Sequence, residues 1–254
     1  MKFKDHFSKQ AARYAKFRPT YPPALFEYLG KITPSRRLAW DCGTGNGQAA
    51  VALAAVFDRV IATDASQDQI RNAQRNEKVE YRVAPAENSG LGPKSVDLVM
   101  VAQALHWFDL ERFYAEARRV LKSRGILAAS AYNLLHIEPT VDQVVERYYR
   151  QIVGPYWPPE RALVEKFGDL PFPFRELDPP NLQVTAQWNL DQLLGYLRTW
   201  SATQRFVAAT GRDPLEEIAG QLRAAWGDPN QLRRVTWPLI LRVGIKAASQ
   251  AEQQ

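Results

Sequence analysis

The chain has 254 residues, a formal net charge of +6 and one cysteine, Cys42. A single cysteine excludes an internal disulfide, and no apolar run approaches the roughly 20 residues that a membrane-spanning helix needs. The N-terminus also lacks the charged, apolar and small-residue regions of a secretory signal, so we expect a single-domain cytoplasmic protein.

The positive charge is concentrated in the segment before residue 38. Residues 1–37 contain nine Lys or Arg and two acidic residues, a net charge of +7, whereas the rest of the chain is close to neutral at −1. Basic segments can bind nucleic acid or acidic substrates, but short charged stretches are more often solvated surfaces. We therefore rank a nucleic-acid partner below a small-molecule partner.

The first part of the chain predicts helices and then a parallel sheet. The pattern from Phe7 to Tyr28 predicts two helices, interrupted at Arg18–Pro23, with the second beginning near Ala24. From Leu38 to Tyr132, short apolar strands alternate with helical patterns, which is typical of a parallel sheet with helices on both faces. The predicted strands are Leu38–Asp41, Val60–Thr63, Glu80–Val83, Leu98–Ala102 and Ile126–Ala131.

After Asn133 the pattern changes to longer helices joined by links rich in proline and aromatic residues. Alternating apolar residues also predict two further strands, which would close the sheet as an antiparallel pair. The predicted helices are Thr140–Ile152, Glu160–Phe167, Asp191–Thr199 and Pro214–Trp226, and the predicted strands are Leu182–Trp188 and Val235–Val243. We expect these helices to form a lid, with aromatic side chains such as Tyr149, Trp157 and Trp200 in the wall of an apolar pocket.

A glycine-rich turn follows the first predicted strand. Gly43, Gly45 and Gly47 can adopt backbone angles that other residues avoid, and they allow a ligand to lie against the main chain. Asp41 is expected at the mouth of this turn, and Asp64 ends the second predicted strand, 21 residues after Gly43. The order of strand, glycine turn, helix and acid is typical of a nucleotide-type site at the first crossover of a parallel sheet.

Two details argue against a dinucleotide as the ligand of this turn. The dinucleotide motif G-x-G-x-x-G requires glycine where this chain has Gln48. Asp41 would also repel a pyrophosphate, because two unit charges about 4 Å apart near a protein surface interact by roughly 4 kcal/mol. The same carboxylate would attract S-adenosylmethionine, which carries an ammonium and a sulfonium and no phosphate.

These motifs resemble those of the class I S-adenosylmethionine-dependent methyltransferases, whose first motif has the form acid-x-G-x-G-x-G. The resemblance covers about Phe7 to Tyr132. It implies an α/β fold with a Rossmann-like seven-stranded sheet, an N-terminal cap and a helical lid. It also implies S-adenosylmethionine as the cofactor, held in part by the turn from Asp41 to Gly47.

The same resemblance implies cofactor contacts at the ends of the later strands. Asp64 would bind the ribose hydroxyls, and Glu87, together with a backbone amide, would lie beside the adenine. The full set of implied contacts outside the glycine turn and the cap is Asp64, Ala65, Ala86, Glu87, Ala102 and Gln103.

The segment from Phe7 to Pro22 resembles the N-terminal cap of the small-molecule branch that includes trans-aconitate methyltransferases. In that branch the cap folds over the cofactor, which would place Tyr14 and Arg18 beside it. The implied organisation is one methyltransferase domain, with a cap at 1–37, a cofactor-binding core at 38–133, and lid helices with the last two strands at 134–254.

The implied reaction is in-line transfer of a methyl group to a small molecule, in which alignment and exclusion of water supply most of the acceleration. The three histidines lack the spacing of a zinc site, and no metal is expected. A carboxylate acceptor would need only cationic side chains such as Arg18 or Arg198, whereas a hydroxyl would need a base. His106 is the one histidine at the expected sheet edge, and it is a candidate for either a catalytic base or a packing residue.

Three alternatives belong to other classes. A nucleic-acid amino-methyltransferase should carry an Asn/Asp-Pro-Pro-aromatic motif after the fourth strand, where this chain has Gln103-Ala104-Leu105-His106. A dehydrogenase is disfavoured by Gln48 and Asp41. A protein that binds S-adenosylmethionine without catalysis has the same binding motifs as an enzyme, and the sequence leaves it open.

Overall fold

The computed structural model describes residues 17–247. Within them, eight strands form one sheet that is covered by helices on both faces. The strands are β1 (Leu38–Cys42), β2 (Arg59–Asp64), β3 (Val79–Val83), β4 (Val96–Ala102), β5 (Leu121–Tyr132), β6 (Arg175–Leu177), β7 (Leu182–Trp188) and β8 (Arg233–Ile245). The α-helices are α1 (Pro23–Ile32), α2 (Gln48–Leu53), α3 (Gln67–Arg71), α4 (Leu110–Val120), α5 (Pro139–Arg147), α6 (Arg161–Glu165), α7 (Leu190–Arg198), α8 (Ser201–Thr210) and α9 (Ala219–Trp226).

The first five strands are parallel, in the spatial order β3-β2-β1-β4-β5. Ala39 of β1 pairs with Val60 of β2 on one side and with Leu98 of β4 on the other. Because these strands run in the same direction, their carboxyl ends lie along one edge of the sheet, where ligands of such folds bind. The parallel sheet predicted from the alternating pattern is confirmed.

At the antiparallel end of the sheet, two short strands occupy the position of one edge strand. β8 pairs with β5 along one side and with both β6 and β7 along the other. Leu177 pairs with Val243 and Leu182 pairs with Leu239, so β6 and β7 follow one another along β8 with one extra residue between them. The interruption contains Pro179, and a proline has no amide hydrogen to donate to a neighbouring strand. The predicted Rossmann-like sheet is therefore confirmed, with two collinear strands at the position of one.

Three of the described α-helices begin where a side chain accepts a hydrogen bond from a backbone amide of the first turn, and one of these side chains is Ser66, which accepts from the amide of Gln69 in α3. Asp109 accepts from the amide of Arg112 at 3.3 Å before α4, and Asn189 and Gln192 form a reciprocal capping box at the start of α7. Helix α8 was not predicted. It begins after Trp200 without a side-chain cap, so its start carries none of the usual local signals.

Side chains of the strands alternate between two buried layers. In β1, Ala39 packs in the layer of α1 and α2, whereas Trp40 packs in the layer of α4, with its ring centroid 6.4 Å from that of Phe113. This alternation buries both faces of the sheet, which explains the continuous apolar strands of the sequence. In the part of the chain from 17 to 247, no helix has both the length and the apolar character required to span a bilayer.

Candidate active site

The glycine turn folds against the end of β2. The backbone amides of Gly43 and Thr44 both donate to the carbonyl oxygen of Thr63, each at 2.9 Å. Gly43, Gly45 and Gly47 have φ angles of 72°, 54° and 85°. These angles lie in the left-handed region, where glycine carries no steric penalty.

The three glycines have different surroundings. A Cβ atom on Gly43 would lie 2.6 Å from the Cβ of Ala104, and a Cβ atom on Gly47 would overlap the hydroxyl of Tyr81. At Gly45 the nearest protein atom would be 3.9 Å away. Gly43 and Gly47 are therefore required by packing, whereas Gly45 leaves open space above the main chain in which a ligand can lie.

Asp41 lies beneath the turn and is completely buried, contrary to our expectation that it would stand at the mouth. Its Oδ2 atom accepts a 2.5 Å hydrogen bond from the hydroxyl of Thr44, and its Oδ1 atom has no hydrogen-bond partner among the described residues. Burial raises the pKa of this carboxyl to about 7, against the opposing effect of the Thr44 hydrogen bond, and the negative charge of Asp64 adds to the rise. A buried carboxylate oxygen without a partner is costly, so a cationic ligand at this turn would stabilise its ionised form.

Asp64 ends β2 and connects two backbone segments of the site. One oxygen accepts from the amide of Gly45 at 2.9 Å, and the other accepts from the amide of Ser66 at 2.8 Å. The sequence assigned this carboxylate only to the ribose. The structure adds that it holds the open glycine of the turn in place, with Ala65 beside it in the chain.

The remaining predicted cofactor contacts follow the next strand ends along the same edge of the sheet. Glu87 accepts a hydrogen bond from the amide of Asp109 at 2.9 Å, which connects the loop after β3 to the start of α4, and its neighbour Ala86 is buried. Gln103, which follows Ala102, exchanges two hydrogen bonds with the backbone of Tyr132, at 2.9 and 2.8 Å. The side chains of Glu87 and Gln103 therefore also connect the loops of the site to one another. Tyr14 lies outside the described residues.

A cavity opens beside the exit of β4, and we call it the acceptor pocket. The turn Leu105–Trp107 separates it from the glycine turn, since Ala104 and Phe108, which flank that turn, contact Gly43. Three aromatic residues of the lid segments face it, with the Trp200 ring centroid 5.6 Å from that of Trp157. The pocket is lined by Arg18, Gln103, His106, Trp107, Tyr132, Asn133, Trp157, Pro158, Arg161, Tyr196, Trp200 and Ser201.

His106 lines this pocket, and only 7% of its surface is exposed. Its Nδ1 atom is buried without a hydrogen-bond partner among residues 17–247. Burial lowers the pKa of His106 to about 3, and the positive charge of Arg161 adds to this effect. The ring is therefore neutral at pH 7 and is a weak proton acceptor in this environment.

Arg161 is a pocket residue that the sequence analysis missed. It lies at the start of α6, within a predicted helix, and no motif distinguishes it from the other arginines. Arg198, which the sequence suggested as a holder of a carboxylate, instead forms an ion pair with Asp213 at 3.2 Å and does not line the acceptor pocket. Within the described range, no group of three His, Cys, Asp or Glu side chains is placed to hold a metal ion.

Together these features define a site for a cationic nucleoside at the first crossover, with a separate pocket beyond it.

Residues 40–129 match the family model of a methyltransferase domain. The chain is similar to a protein named as a methyltransferase in Dictyostelium discoideum, with 38% identity over 254 residues and 96% of each chain covered. It is also similar to the S-adenosylmethionine-dependent methyltransferase CRG1 of Saccharomyces cerevisiae, with 28% identity over 76% of this chain and 79% of that protein. Among solved structures, one assigned as a type II methyltransferase from Anaeromyxobacter dehalogenans is 50% identical, with a TM-score of 0.86 over 92% of this chain and 100% of that chain.

The chain therefore belongs to the class I S-adenosylmethionine-dependent methyltransferases, as the motifs predicted. It is an enzyme of that class, and its cofactor is S-adenosylmethionine. The open space at Gly45 and the unpartnered oxygen of Asp41 fit this cofactor, which is cationic and carries no phosphate. The trans-aconitate branch within the class stays a prediction.

Asp41 is expected to make the stability of the protein depend on pH. Its pKa is raised from 3.8 to about 7 on folding, so the folded protein holds this proton more tightly than the unfolded chain. Stability is therefore expected to decrease as the pH rises from about 4 to 7, and to stay lowered above that range. Asp41→Asn cannot ionise, and we expect its melting temperature to exceed that of the wild type by more at pH 8 than at pH 5. Differential scanning calorimetry at both pH values measures this difference.

The affinity for the cofactor should depend on pH in the opposite direction. A cationic ligand favours the ionised carboxylate, so S-adenosylmethionine should bind the wild type more tightly at pH 8 than at pH 6, with proton release. Isothermal titration calorimetry in two buffers of different ionisation enthalpy measures both quantities. Asp68→Asn, on the surface of α3, is the matched control and should behave as the wild type. Identical pH profiles for the wild type and Asp41→Asn would contradict the role of Asp41.

Proposed function

We propose that the protein transfers a methyl group from S-adenosylmethionine to an oxygen atom of a small molecule in the acceptor pocket. The observation that carries the proposal is the position of this pocket, which lies next to the glycine turn, with only the turn Leu105–Trp107 between them. When bound, S-adenosylmethionine supplies a methyl group on a positively charged sulfur, and the electron pair of the broken S–CH3 bond stays on sulfur. The aromatic rings around the pocket would exclude water and align the acceptor.

A carboxylate fits the pocket better than a hydroxyl. A carboxylate is ionised at neutral pH and forms the new O–CH3 bond without losing a proton, whereas a hydroxyl must give its proton to a base. His106 is the histidine within the pocket, and its pKa near 3 makes it a weak base. The proposed role of His106 is therefore to bind and position the acceptor as a neutral ring, which revises its candidate role as a base.

The cofactor contacts predicted from the sequence are part of this proposal. The turn from Asp41 to Gly47 would hold the amino acid part of the cofactor, and Asp64 would hold the ribose. Glu87 would lie beside the adenine, and Gln103 would lie between the cofactor and the acceptor. Residues 1–37 would act as a cap, residues 38–133 as the cofactor-binding core, and residues 134–254 as the lid with the last two strands.

The aromatic lining of the pocket favours a small acceptor over nucleic acid. Nucleic-acid binding requires a basic surface that follows a phosphate backbone, whereas the two arginines here face a cavity walled by aromatic rings. The exit of β4 also reads Gln103-Ala104-Leu105-His106, which does not match the motif expected of an amino-methyltransferase of nucleic acids.

Incubation with methyl-labelled S-adenosylmethionine and a panel of acids, phenols, amines and short oligonucleotides tests the proposal. We expect labelled methyl esters from acids, with a kcat that is flat between pH 6 and 9 because no proton must be removed. His106→Gln should retain kcat within about tenfold, since loss of a true general base lowers the rate by roughly 10²- to 10⁴-fold. Transfer to oligonucleotides or amines alone, or cofactor binding without transfer to any acceptor, would refute the proposal.

A further inference from the structure

We propose that Arg161 anchors the acceptor by its carboxylate, and that the acceptor is an apolar acid with a single carboxylate. This inference rests on the proposed function, because it names the class of molecule that enters the acceptor pocket. Two observations support it: the contacts of the Arg161 guanidinium, and the charged and aromatic side chains that line the acceptor pocket.

The guanidinium of Arg161 is held in place by four neighbouring groups. Its Nε atom donates to the hydroxyl of Tyr149 at 2.8 Å, and one terminal nitrogen donates to the side-chain oxygen of Asn133. Its plane lies over two rings, with the central carbon 4.9 Å from the ring centroid of Trp157 and 5.3 Å from that of Tyr149. Tyr149 is itself oriented, because its hydroxyl donates to Glu165 at 2.7 Å.

These contacts leave part of the guanidinium available to a ligand. An arginine has five N–H donors, and two of them are used by Tyr149 and Asn133. Within residues 17–247, no carboxylate lies within ion-pair distance of Arg161. A charged, half-buried donor without a carboxylate partner, in the wall of a cavity, is the arrangement that binds an anionic ligand.

The fixed position of Arg161 favours binding of a carboxylate in one orientation. A free arginine side chain loses much rotamer entropy when it forms an ion pair, whereas this guanidinium is already held by two rings and two hydrogen bonds. Binding of the anion therefore does not have to order a mobile side chain, and little of the binding free energy is lost to side-chain entropy. A neutral methyl ester would lose the charge-assisted hydrogen bonds, which favours release of the product.

The rest of the pocket favours an apolar body on the acceptor. Five of the residues that line the pocket are aromatic, and among the described lining residues only Arg18 and Arg161 carry a formal charge. Arg18 lies over the ring of Tyr196, whereas two hydrogen bonds and two rings fix the orientation of the Arg161 guanidinium, so Arg161 is the better candidate for the anchor. A tricarboxylate would place at least two further carboxylates against aromatic walls, and desolvation of those charges would oppose binding.

Binding of 3-phenylpropanoate to the protein saturated with S-adenosylhomocysteine tests the proposal directly. Quenching of tryptophan fluorescence and isothermal titration calorimetry report binding without catalysis. We expect saturable binding of 3-phenylpropanoate, and at least tenfold weaker binding of 3-phenyl-1-propanol, 3-phenylpropylamine and propane-1,2,3-tricarboxylate. Arg161→Met should weaken the binding of the acid by roughly 30-fold or more and leave the weak binding of the alcohol unchanged.

Two further variants keep the test independent of folding. Arg161→Lys preserves the charge but not the planar fork, and it should bind the acid with intermediate affinity. Arg198→Met removes a lid arginine that is paired with Asp213 outside this pocket, and it should bind the acid as the wild type does. Each variant should bind S-adenosylhomocysteine with unchanged affinity, which verifies the fold of the cofactor site.

The outcomes separate this inference from the proposed function. Equal affinity of the acid for the wild type and Arg161→Met, tighter binding of the tricarboxylate, or no saturable binding of 3-phenylpropanoate would overturn the role of Arg161 and the substrate class. If these results occur while labelled esters still form from other acids, the proposed function stands without the inference. If the acid binds through Arg161 but no compound in the panel is methylated on oxygen, the proposed function fails and the anchoring role remains.

Discussion

Gly45→Ala is expected to weaken the binding of S-adenosylmethionine on the order of 100-fold while the protein stays folded. The added methyl group would project into the open space above the glycine turn, where the nearest protein atom is 3.9 Å away. It would therefore meet the ligand and not the protein. Its φ of 54° adds backbone strain of about 1–2 kcal/mol, which lowers stability without preventing folding. Calorimetric titration with S-adenosylmethionine and urea denaturation measure the two effects separately.

Gly43→Ala is the matched comparison, because its main expected effect is on the stability of the protein and not on cofactor binding. Its φ of 72° carries the same kind of strain, and the new Cβ would lie 2.6 Å from the Cβ of Ala104. We expect a loss of stability of about 2–5 kcal/mol from strain and overpacking together. The double variant with Ala104→Gly should recover part of this loss. If Gly45→Ala destabilised the protein as much as Gly43→Ala and bound the cofactor normally, the assignment of the open glycine would be wrong.

Asp64→Ala is expected to weaken the binding of S-adenosylmethionine by about 1–3 kcal/mol, or roughly 5- to 150-fold. One reason is the loss of charged hydrogen bonds to the ribose. The other is local, because the amides of Gly45 and Ser66 would lose the acceptors that now lie 2.9 and 2.8 Å away. Isothermal titration calorimetry with S-adenosylmethionine and S-adenosylhomocysteine measures the loss.

Two control variants separate the roles of Asp64. Asp64→Asn keeps one carbonyl oxygen as an acceptor, so it should lose less affinity than the alanine variant. Asp68→Ala removes a carboxylate that forms an ion pair with Arg71 on α3, and it should not change the affinity. An unchanged affinity in Asp64→Ala would exclude the ribose contact.

The strands, the glycine turn and the acid to which we assign the cofactor could be predicted because their signals are local in the chain. The glycine turn, the acid after β2 and the apolar strands each lie within a few consecutive residues, and parallel strands place their carboxyl ends at one edge. The observed β7 has the predicted bounds, Leu182–Trp188, because its apolar residues alternate and turn residues flank it. Helix α8 was missed because its start carries neither a capping side chain nor a proline, whereas a proline marks the first turn of α5, which also lacks a cap.

The acceptor pocket was less accessible to prediction because its residues come from distant parts of the chain. The role that we propose for Arg161 depends on its contacts with Tyr149, Asn133 and Trp157, and these contacts form when α6 packs against the turn after α5. Arg198 was an equally good candidate on charge alone. The structure pairs it with Asp213 instead.

The sequence by itself determined the class of the protein, since the order and spacing of the strands, glycines and acids are local features that define a site for a cationic nucleoside. Only the tertiary structure decided how readily Asp41 ionises and which arginines line the pocket. The burial of Asp41 raises its pKa, and the burial of His106 lowers its basicity, although neither change is visible in the residue types. Both depend on the removal of water by residues far away in the chain, and desolvation is a property of the packed fold.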